Sequence, residues 1–287
     1  MPALDAASEV SDPAIKLLVA DIDGTLLDPE KQLTDAVRRS VRKVMDAGVL
    51  FSIISARPPK GTKFLIDALQ ITEPIACFNG ALICSPTYEI LSQLLMDAAD
   101  ASRVGNLILD HGLDLWMFRG AEWYVSHLNG PHVEGHVKLL DEFPKYLGRD
   151  TTLCQTANKL VGVSDDYEAV KRCQADVIAA CGERVSATRS ADYYLDVTHR
   201  DANKGHAVVQ LAEMMKVPLE NVATIGDMPT DTLMFAKSGI SIAMGNASDD
   251  VKVAAKFTTT SNREDGFAKA MEDVVLPRIS RSAGVQA

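Results

Sequence analysis

Short apolar runs rich in β-branched residues alternate along this chain with stretches whose apolar positions recur at helical spacing. Residues 15–20 form a near-continuous apolar run, the pattern of a central strand covered on both faces. Residues 34–47 place Val37, Val41, Val44 and Met45 on one helical face and stop at Gly48. Strands are predicted at 49–54 and 74–78 and a helix at 61–69. A hairpin is predicted to run from Asn79-Gly80-Ala81 through 89–95. Alternation of this kind predicts βαβ units and a parallel sheet.

From about residue 84 to 190 the texture changes, with both tryptophans and four of the six histidines in this stretch. Strand patterns at 113–118, 159–163 and 184–189, with helical patterns at 97–111 and 165–181, predict an α+β module with a largely antiparallel sheet. The α/β rhythm then resumes. Strands are predicted at 193–197, 221–225, 239–244 and 256–260, and helices at 203–215, 229–236, 249–255 and 265–275. The economical reading is an α/β fold: a doubly wound parallel-sheet core from 1–83 and 191–287, interrupted by an inserted module at 84–190. The small, polar ends at 1–13 and 280–287 are expected to fray.

Composition narrows the choice of partner. With 287 residues, 47% of them hydrophobic, the chain is long enough for one large core or two modest ones. A net charge of −10 argues against nucleic acid or anionic lipid as partner, so a bound anion would need local positive charge. No apolar stretch approaches the roughly 20 residues of a membrane span. The five cysteines lack a C-x-x-C pair, and residues 1–13 lack a basic start and an apolar block. Reduced, mostly buried thiols and a cytoplasmic location are the expectation.

The candidate chemistry gathers at strand ends, where ligands of doubly wound sheets bind. Asp21-Ile22-Asp23-Gly24-Thr25 comes directly after the first strand. Two carboxylates at i, i+2 can meet one ligand, while Gly24 and Thr25 let the backbone turn and offer N–H groups to an anion. The set suits phosphoryl transfer through an aspartyl-phosphate, with Asp21 as nucleophile and Asp23 as acid and base; an ordinary strand followed by a polar turn is the plainer alternative. Ser55 and Ala56 after the second strand can hold a phosphate oxygen. Lys204 can neutralise both the nucleophile and the incoming phosphate. Asp227 and Asp231, after the strand at 221–225, can supply one ligand of Mg²⁺ and one supporting partner, or an N-cap for the next helix.

Taken together, these segments resemble the haloacid dehalogenase-like superfamily of phosphatases, most closely its Cof-type sugar-phosphatase branch. The motif from Asp21 to Asp28, Gly226-Asp227 with Asp231, Asn79-Gly80-Ala81 and Met244-Gly245-Asn246-Ala247 carry the resemblance, which covers about residues 14–279. It implies a Rossmann-like core with a large α/β cap that acts as a substrate lid. It also implies Mg²⁺ held by Asp21, by the backbone carbonyl of Asp23 and by Asp227. Asp231 would orient the metal waters or Lys204, with Asn79 and Asn246 in support. Asp23 would protonate the leaving alcohol and then activate water, which calls for a raised pKa. Thr230 stands where relatives commonly have Asn, and Ser55 where many have Thr followed by Gly; both keep a hydroxyl or small polar group.

The expected partner is a small phosphorylated metabolite, with no nucleic acid and no membrane, on a monomer or small homo-oligomer. A sugar phosphomutase using the same aspartyl-phosphate and a non-catalytic phosphometabolite-binding protein are the alternatives. Trp116, Trp123, His127, His132 and His136 are candidate lid contacts. Core packing competes for the aromatics, and a zinc pair on His132 and His136 is a weaker possibility for lack of a third ligand.

Overall fold

The computed structural model describes residues 14–279, so the expectation for the two ends lies outside the described residues. The chain first lays down β1 (Leu17–Asp21), α1 (Asp35–Asp46), β2 (Leu50–Ile54), α2 (Lys63–Leu69), β3 (Ile75–Cys77), β4 (Leu82–Cys84) and β5 (Ile90–Gln93). A second group comprises α3 (Ala98–Asp110), β6 (Asp114–Arg119), β7 (Glu122–Val125), α4 (Val133–Leu140), β8 (Lys145–Tyr146), β9 (Lys159–Val163), α5 (Tyr167–Cys181), β10 (Val185–Ala191) and β11 (Tyr194–His199). The last group holds α6 (Lys204–Met214), β12 (Val222–Gly226), α7 (Thr232–Phe235), β13 (Ile240–Ala243), α8 (Asp249–Ala254), β14 (Phe257–Thr258) and α9 (Gly266–Ala270).

Eight strands form one sheet in the order β14-β13-β12-β1-β2-β3-β4-β5. The six from β14 to β3 run parallel, and β4 and β5 close the edge antiparallel. Side chains of β1 alternate between two apolar layers, as a period of two requires. Leu18 and Ala20 pack with α1 and α9, whereas Leu17 and Val19 pack with α6 and α7. Helices on both faces explain why this strand reads as an unbroken apolar run. The chain moves from β1 to β2 on one side, while β12 lies on the other. β1 is therefore the switch point of the sheet, and its carboxyl end opens onto a crevice.

The second sheet has the order β10-β11-β9-β6-β7-β8 and is antiparallel except for β7 with β8. One face carries Leu115, Met117 and Leu160 against α3 and α5. The other carries Trp116, Phe118 and Val161 towards the large sheet, where Phe118 meets Phe78 with ring centroids 5.4 Å apart.

The expected boundaries of the insertion shift inwards at one end and outwards at the other. β5, read as part of the insertion, completes the large sheet, and the strand expected at 193–197 as core is β11 of the small sheet. Periodicity reports which faces of a strand are buried but not which strand lies beside it. The unpredicted α4 begins after His132, which adopts a left-handed φ of 61° and makes no side-chain cap, so the usual start signal is missing. All five cysteines are buried and unpaired, as expected. Among the described residues no helix is long and apolar enough to cross a membrane.

Candidate active site

Register alone brings the first carboxylates together. Ala20 of β1 pairs with Ile225 of β12, and Asp21 pairs with Ile54 of β2. The residues at the ends of the three strands, from Asp21, Ser55 and Asp227 onwards, therefore rise side by side from the carboxyl edge. After β1 a wide turn is closed by the Leu27 N–H donating to the Ile22 carbonyl at 3.1 Å. Gly24 sits in that turn at φ +81°, where a Cβ would lie 2.3 Å from Asp227 Oδ2. Gly24→Ala is accordingly expected to lower stability by about 1–3 kcal/mol through the left-handed backbone and to displace Asp227. Thermal denaturation with an activity assay checks this, and an unchanged melting temperature and rate would show that the turn can relax.

Lys204, the first residue of α6, joins the group from across the crevice. Its buried Nζ donates to Asp21 Oδ1 at 2.7 Å and to Asp231 Oδ1 at 2.6 Å. Asn203 caps the helix by accepting from the His206 N–H at 2.9 Å, which fixes where the lysine begins. Asp231 Oδ2 accepts from the backbone N–H groups of Asp227 and Met228 at 2.8 and 2.7 Å. Asp231 thus has both oxygens engaged and holds the lysine and the Asp227 loop. Asp227 is in turn met by the Thr25 hydroxyl at 3.3 Å and by Asn246 Nδ2 at 3.1 Å, and Asn246 also donates to the Gly24 carbonyl.

On the other flank, the Ser55 hydroxyl accepts from the Arg57 N–H at 3.2 Å, and Ala56 lies between them. Asn79 donates its N–H to the Ser55 carbonyl at 2.8 Å from a left-handed φ of 54°. Asn79 therefore braces the Ser55 loop rather than the carboxylates. Its Oδ1 is buried with no hydrogen-bond partner among the described residues.

Oxygens of Asp21, Asp227 and Asp231 come within 4.8 Å of one another around a single ammonium. Burial pushes the Asp21 carboxyl well above the ordinary range, more than Lys204 pulls it down, and Asp231 and Asp227 add to the rise. Burial and then the Asp231 charge bring Asp227 to about 6. Burial works against the charge on Lys204, but Asp21 and Asp231 keep it above the usual lysine value. The excess negative charge is of the kind a divalent cation neutralises, and hard carboxylate oxygens suit such an ion. With Asp231 occupied, Asp21 and Asp227 are the side chains left to hold it.

Asp23 departs from expectation. Burial raises its pKa, but Arg57 and Lys31 outweigh burial and hold it at about 2. Arg57 grips both oxygens at 2.8 Å through Nε and Nη2, and Lys31 Nζ donates to Oδ1 at 2.8 Å. The expected rise in pKa does not occur, because two cations converge on a carboxyl that lies at the rim of the site. Sequence reading passed over both partners. The Arg57 signal was its place two residues beyond Ser55, at the end of the strand beside β1; Lys31 carried none.

The lid candidates divide. Trp116 and Trp123 are buried in a ring cluster with His136, in keeping with packing. His127 pairs with Asp114. His132 bonds Asp165 at 2.9 Å, stacks on Tyr193 at 4.0 Å and meets the edge of Tyr194, which also packs on Trp116. The direct ring neighbours of the two histidines differ: Trp116, Phe118 and Trp123 for His136, and Tyr193 and Tyr194 for His132.

Residues 18–271 match a family profile described as haloacid dehalogenase-like hydrolase. The Bacillus subtilis protein YxeH is 28% identical over 277 residues, spanning 92% of this chain and 99% of the relative. The 5-amino-6-(5-phospho-D-ribitylamino)uracil phosphatase YwtE of the same organism is 26% identical over 291 residues, spanning 91% of this chain and 98% of the relative. A haloacid dehalogenase-like hydrolase from Bacteroides thetaiotaomicron superposes with a TM-score of 0.81 at 24% identity, covering 91% of this chain and 99% of its own. A subclass IIB sugar phosphatase of the superfamily gives 0.78 at 20% identity, covering 92% and 100%. A profile match along most of the chain, on this fold, accounts for carboxylates and a lysine gathered at the switch point: the chain belongs to the haloacid dehalogenase-like hydrolases, in their Cof-type branch of phosphatases.

Proposed function

We propose that the protein is a Mg²⁺-dependent phosphatase that hydrolyses phosphate monoesters of small metabolites through a phosphorylated Asp21. The observation that carries this reading is the Lys204 ammonium, at the start of α6, bridging Asp21 and Asp231 beside Asp227, with the three carboxylates at or just beyond the ends of the adjoining strands β1 and β12. A phosphate monoester brings nearly two negative charges to an anionic nucleophile, an approach that is forbidding without compensation. Lys204 supplies one positive charge at the attacking carboxylate. The turn N–H groups around Gly24 and Thr25 and the Ser55 hydroxyl supply partial charge towards the equatorial oxygens. When bound by Asp21, the Asp23 carbonyl and Asp227, Mg²⁺ supplies charge neutralisation and a template for the phosphate.

In the first half-reaction Asp21 Oδ2 attacks phosphorus, the ester P–O bond breaks, and the leaving oxygen takes a proton from Asp23, which must first acquire it from solvent as the incoming phosphate takes over contacts with Arg57 and Lys31. In the second, Asp23 accepts a proton from water as its oxygen attacks phosphorus. Asp21 is then restored and inorganic phosphate leaves. The small sheet, packed over the carboxyl edge, serves as the lid that excludes bulk water. The names of relatives range from a uracil-bearing phosphate ester to sugars, so they leave the alcohol open.

Phosphate release from a panel of phosphorylated metabolites, with Mg²⁺ and after exhaustive chelation, tests the proposal. Full activity in the chelated enzyme would remove the metal from it. Metal binding is also expected to depend on pH. A carboxyl raised to about 6 in the folded chain, as Asp227 is, holds a proton below that pH which the unfolded chain releases down to about 4. Proton and Mg²⁺ then compete, and Mg²⁺ affinity at pH 5 should be about tenfold weaker than at pH 8.

The check is the rise in melting temperature on adding Mg²⁺, measured at both pH values. His136, held near 4 chiefly by burial, loses stability in the same window as pH falls. It does so with and without metal, so the difference isolates the carboxyls. A rise as large at pH 5 as at pH 8 would contradict the ligand assignment.

A further inference from the structure

Positive charge is concentrated in one part of this acidic chain, more than the catalytic carboxylates require. Residues 31–67 hold eight Lys and Arg, three Asp and no Glu, a net +5 in a chain of −10. Three of the eight are paired elsewhere: Lys43 with Glu272 at 3.0 Å, and Lys60 with Glu142 and Lys63 with Asp67 at 2.6 Å. The other five, Lys31, Arg38, Arg39, Arg42 and Arg57, line two cavities of about 590 and 260 Å³. Arg38 and Ala68 border both, so the two cavities form one groove along α1 and α2. Among the described residues no acidic side chain lines either cavity.

The two ends of the groove differ. Arg38, Arg39 and Arg42 share the narrow end with Leu69 and Gln70. Arg38 donates to Asp35 at 3.1 Å, and Arg42 meets Gln70 at 2.7 Å and Asp46 at 3.0 Å. The Arg39 side chain has no partner among the described residues. A guanidinium carries five N–H donors, so most are left for a ligand. Such forks match phosphate oxygens two at a time. At the wide end Leu33, Phe64 and Leu139 add apolar surface. Phe64 and Leu139 are 42% and 48% exposed, so that surface is free to be covered.

This combination selects among anions. A long polyanion such as nucleic acid would be repelled beyond the groove by the rest of the chain, at a net −15. An acidic peptide carries its charges singly along a backbone, whereas three arginines within five positions of one helix call for dense charge. A bare polyphosphate would leave the apolar end wet. A compact molecule that joins linked phosphates to a flat apolar group uses both ends, and the space is of the usual small-ligand size.

We propose that this groove is a second binding site, for an organic polyphosphate whose phosphates lie along Arg38, Arg39 and Arg42 and whose ring rests on Phe64. Lys31 and Arg57 border the groove and also hold Asp23 at 2.8 Å. The incoming substrate phosphate draws on the same two cations. An occupied groove therefore raises KM, a coupling that rests on the phosphatase reading.

The probe is adenosine 5′-(β,γ-methylene)triphosphate, titrated calorimetrically into the full-length protein after Mg²⁺ is chelated, which disfavours anions at the catalytic carboxylates. It should bind at least about tenfold more tightly than adenosine or inorganic tripolyphosphate. Arg39→Glu with Arg42→Glu should weaken it at least about tenfold and leave p-nitrophenyl phosphate turnover without the probe unchanged. With Mg²⁺ restored, the probe should raise KM for p-nitrophenyl phosphate several-fold in the wild type and not in the variant. Tripolyphosphate binding as tightly as the probe would reveal a plain anion site and overturn the proposal. Binding that survives the double substitution, or none at millimolar probe, would overturn it too. An unchanged KM with the probe bound would overturn the coupling. Absence of p-nitrophenyl phosphate turnover in the wild type would count against the phosphatase reading and the coupling, while the titrations still decide the site. Arg39→Gln, which removes an unpaired surface charge, gives the same test should the double variant fail to fold.

Discussion

Asp21→Asn is expected to reduce phosphate release by at least about 10⁴-fold while leaving the fold intact, because an amide cannot serve as the nucleophile. The substitution is nearly isosteric, so packing at the end of β1 should be undisturbed. Lys204 keeps its 2.6 Å bond to Asp231 and can still donate to the amide oxygen, so its charge is not stranded. The variant should also relieve the crowding of three carboxylates around one ammonium, and its melting temperature without metal should not fall. Beryllofluoride, a mimic of the phosphorylated carboxylate, should form an adduct on the wild-type protein and not on the variant. Wild-type turnover by the purified variant, free of host phosphatase, would sink the assignment of Asp21 and with it the aspartyl-phosphate.

The site is legible in sequence wherever its residues sit at strand ends. The apolar run of β1 announces a strand covered on both faces, and the residues just beyond such a strand at a switch point must face the crevice. Asp21, Ser55 and Asp227 stand out in this way, and Lys204 stands out as the start of the helix after the insertion. Their convergence depends on register, which periodicity does not report, yet in a parallel sheet the carboxyl ends coincide whatever the register in detail. The insertion is harder to read. Its strands are antiparallel except for β7 with β8, β6 and β9 each carry one apolar set for each of two cores, and nothing in the pattern of β11 says that β9 and β10 are its neighbours. The Arg57 grip on Asp23 is invisible for another reason. It is a contact between side chains from two strand ends, and only coordinates show a guanidinium reaching a particular carboxyl. Sequence reasoning proposes acid and base work for Asp23 and expects a raised pKa, whereas Arg57 and Lys31 lower it.

That charge state makes Asp23→Asn the second large effect, and one that should differ between substrates. Held at about 2, the carboxyl is ionised at neutral pH. At pH 7 only about one in 10⁵ such groups carries a proton. Ionised Asp23 is ready to take a proton from water in the second half-reaction and wrongly charged to give one in the first. The incoming phosphate is itself anionic and competes for Arg57 and Lys31. Each contact it takes is one Asp23 loses, which moves the carboxyl towards its ordinary value at the moment a proton is needed. An alkyl phosphate, whose leaving alkoxide must be protonated, should therefore depend on Asp23 in both steps, and its turnover should fall by about 10²–10⁴-fold in Asp23→Asn. For p-nitrophenyl phosphate the leaving phenolate needs no proton. Phosphorylation of Asp21 should then survive while hydrolysis of the phosphorylated enzyme slows, giving a burst of about one nitrophenolate per site before a slow steady rate. Rapid-mixing absorbance measurements read that burst directly. If both substrates slowed equally and no burst appeared, Asp23 would be an anchor for Arg57, and the proton would have to travel by another route.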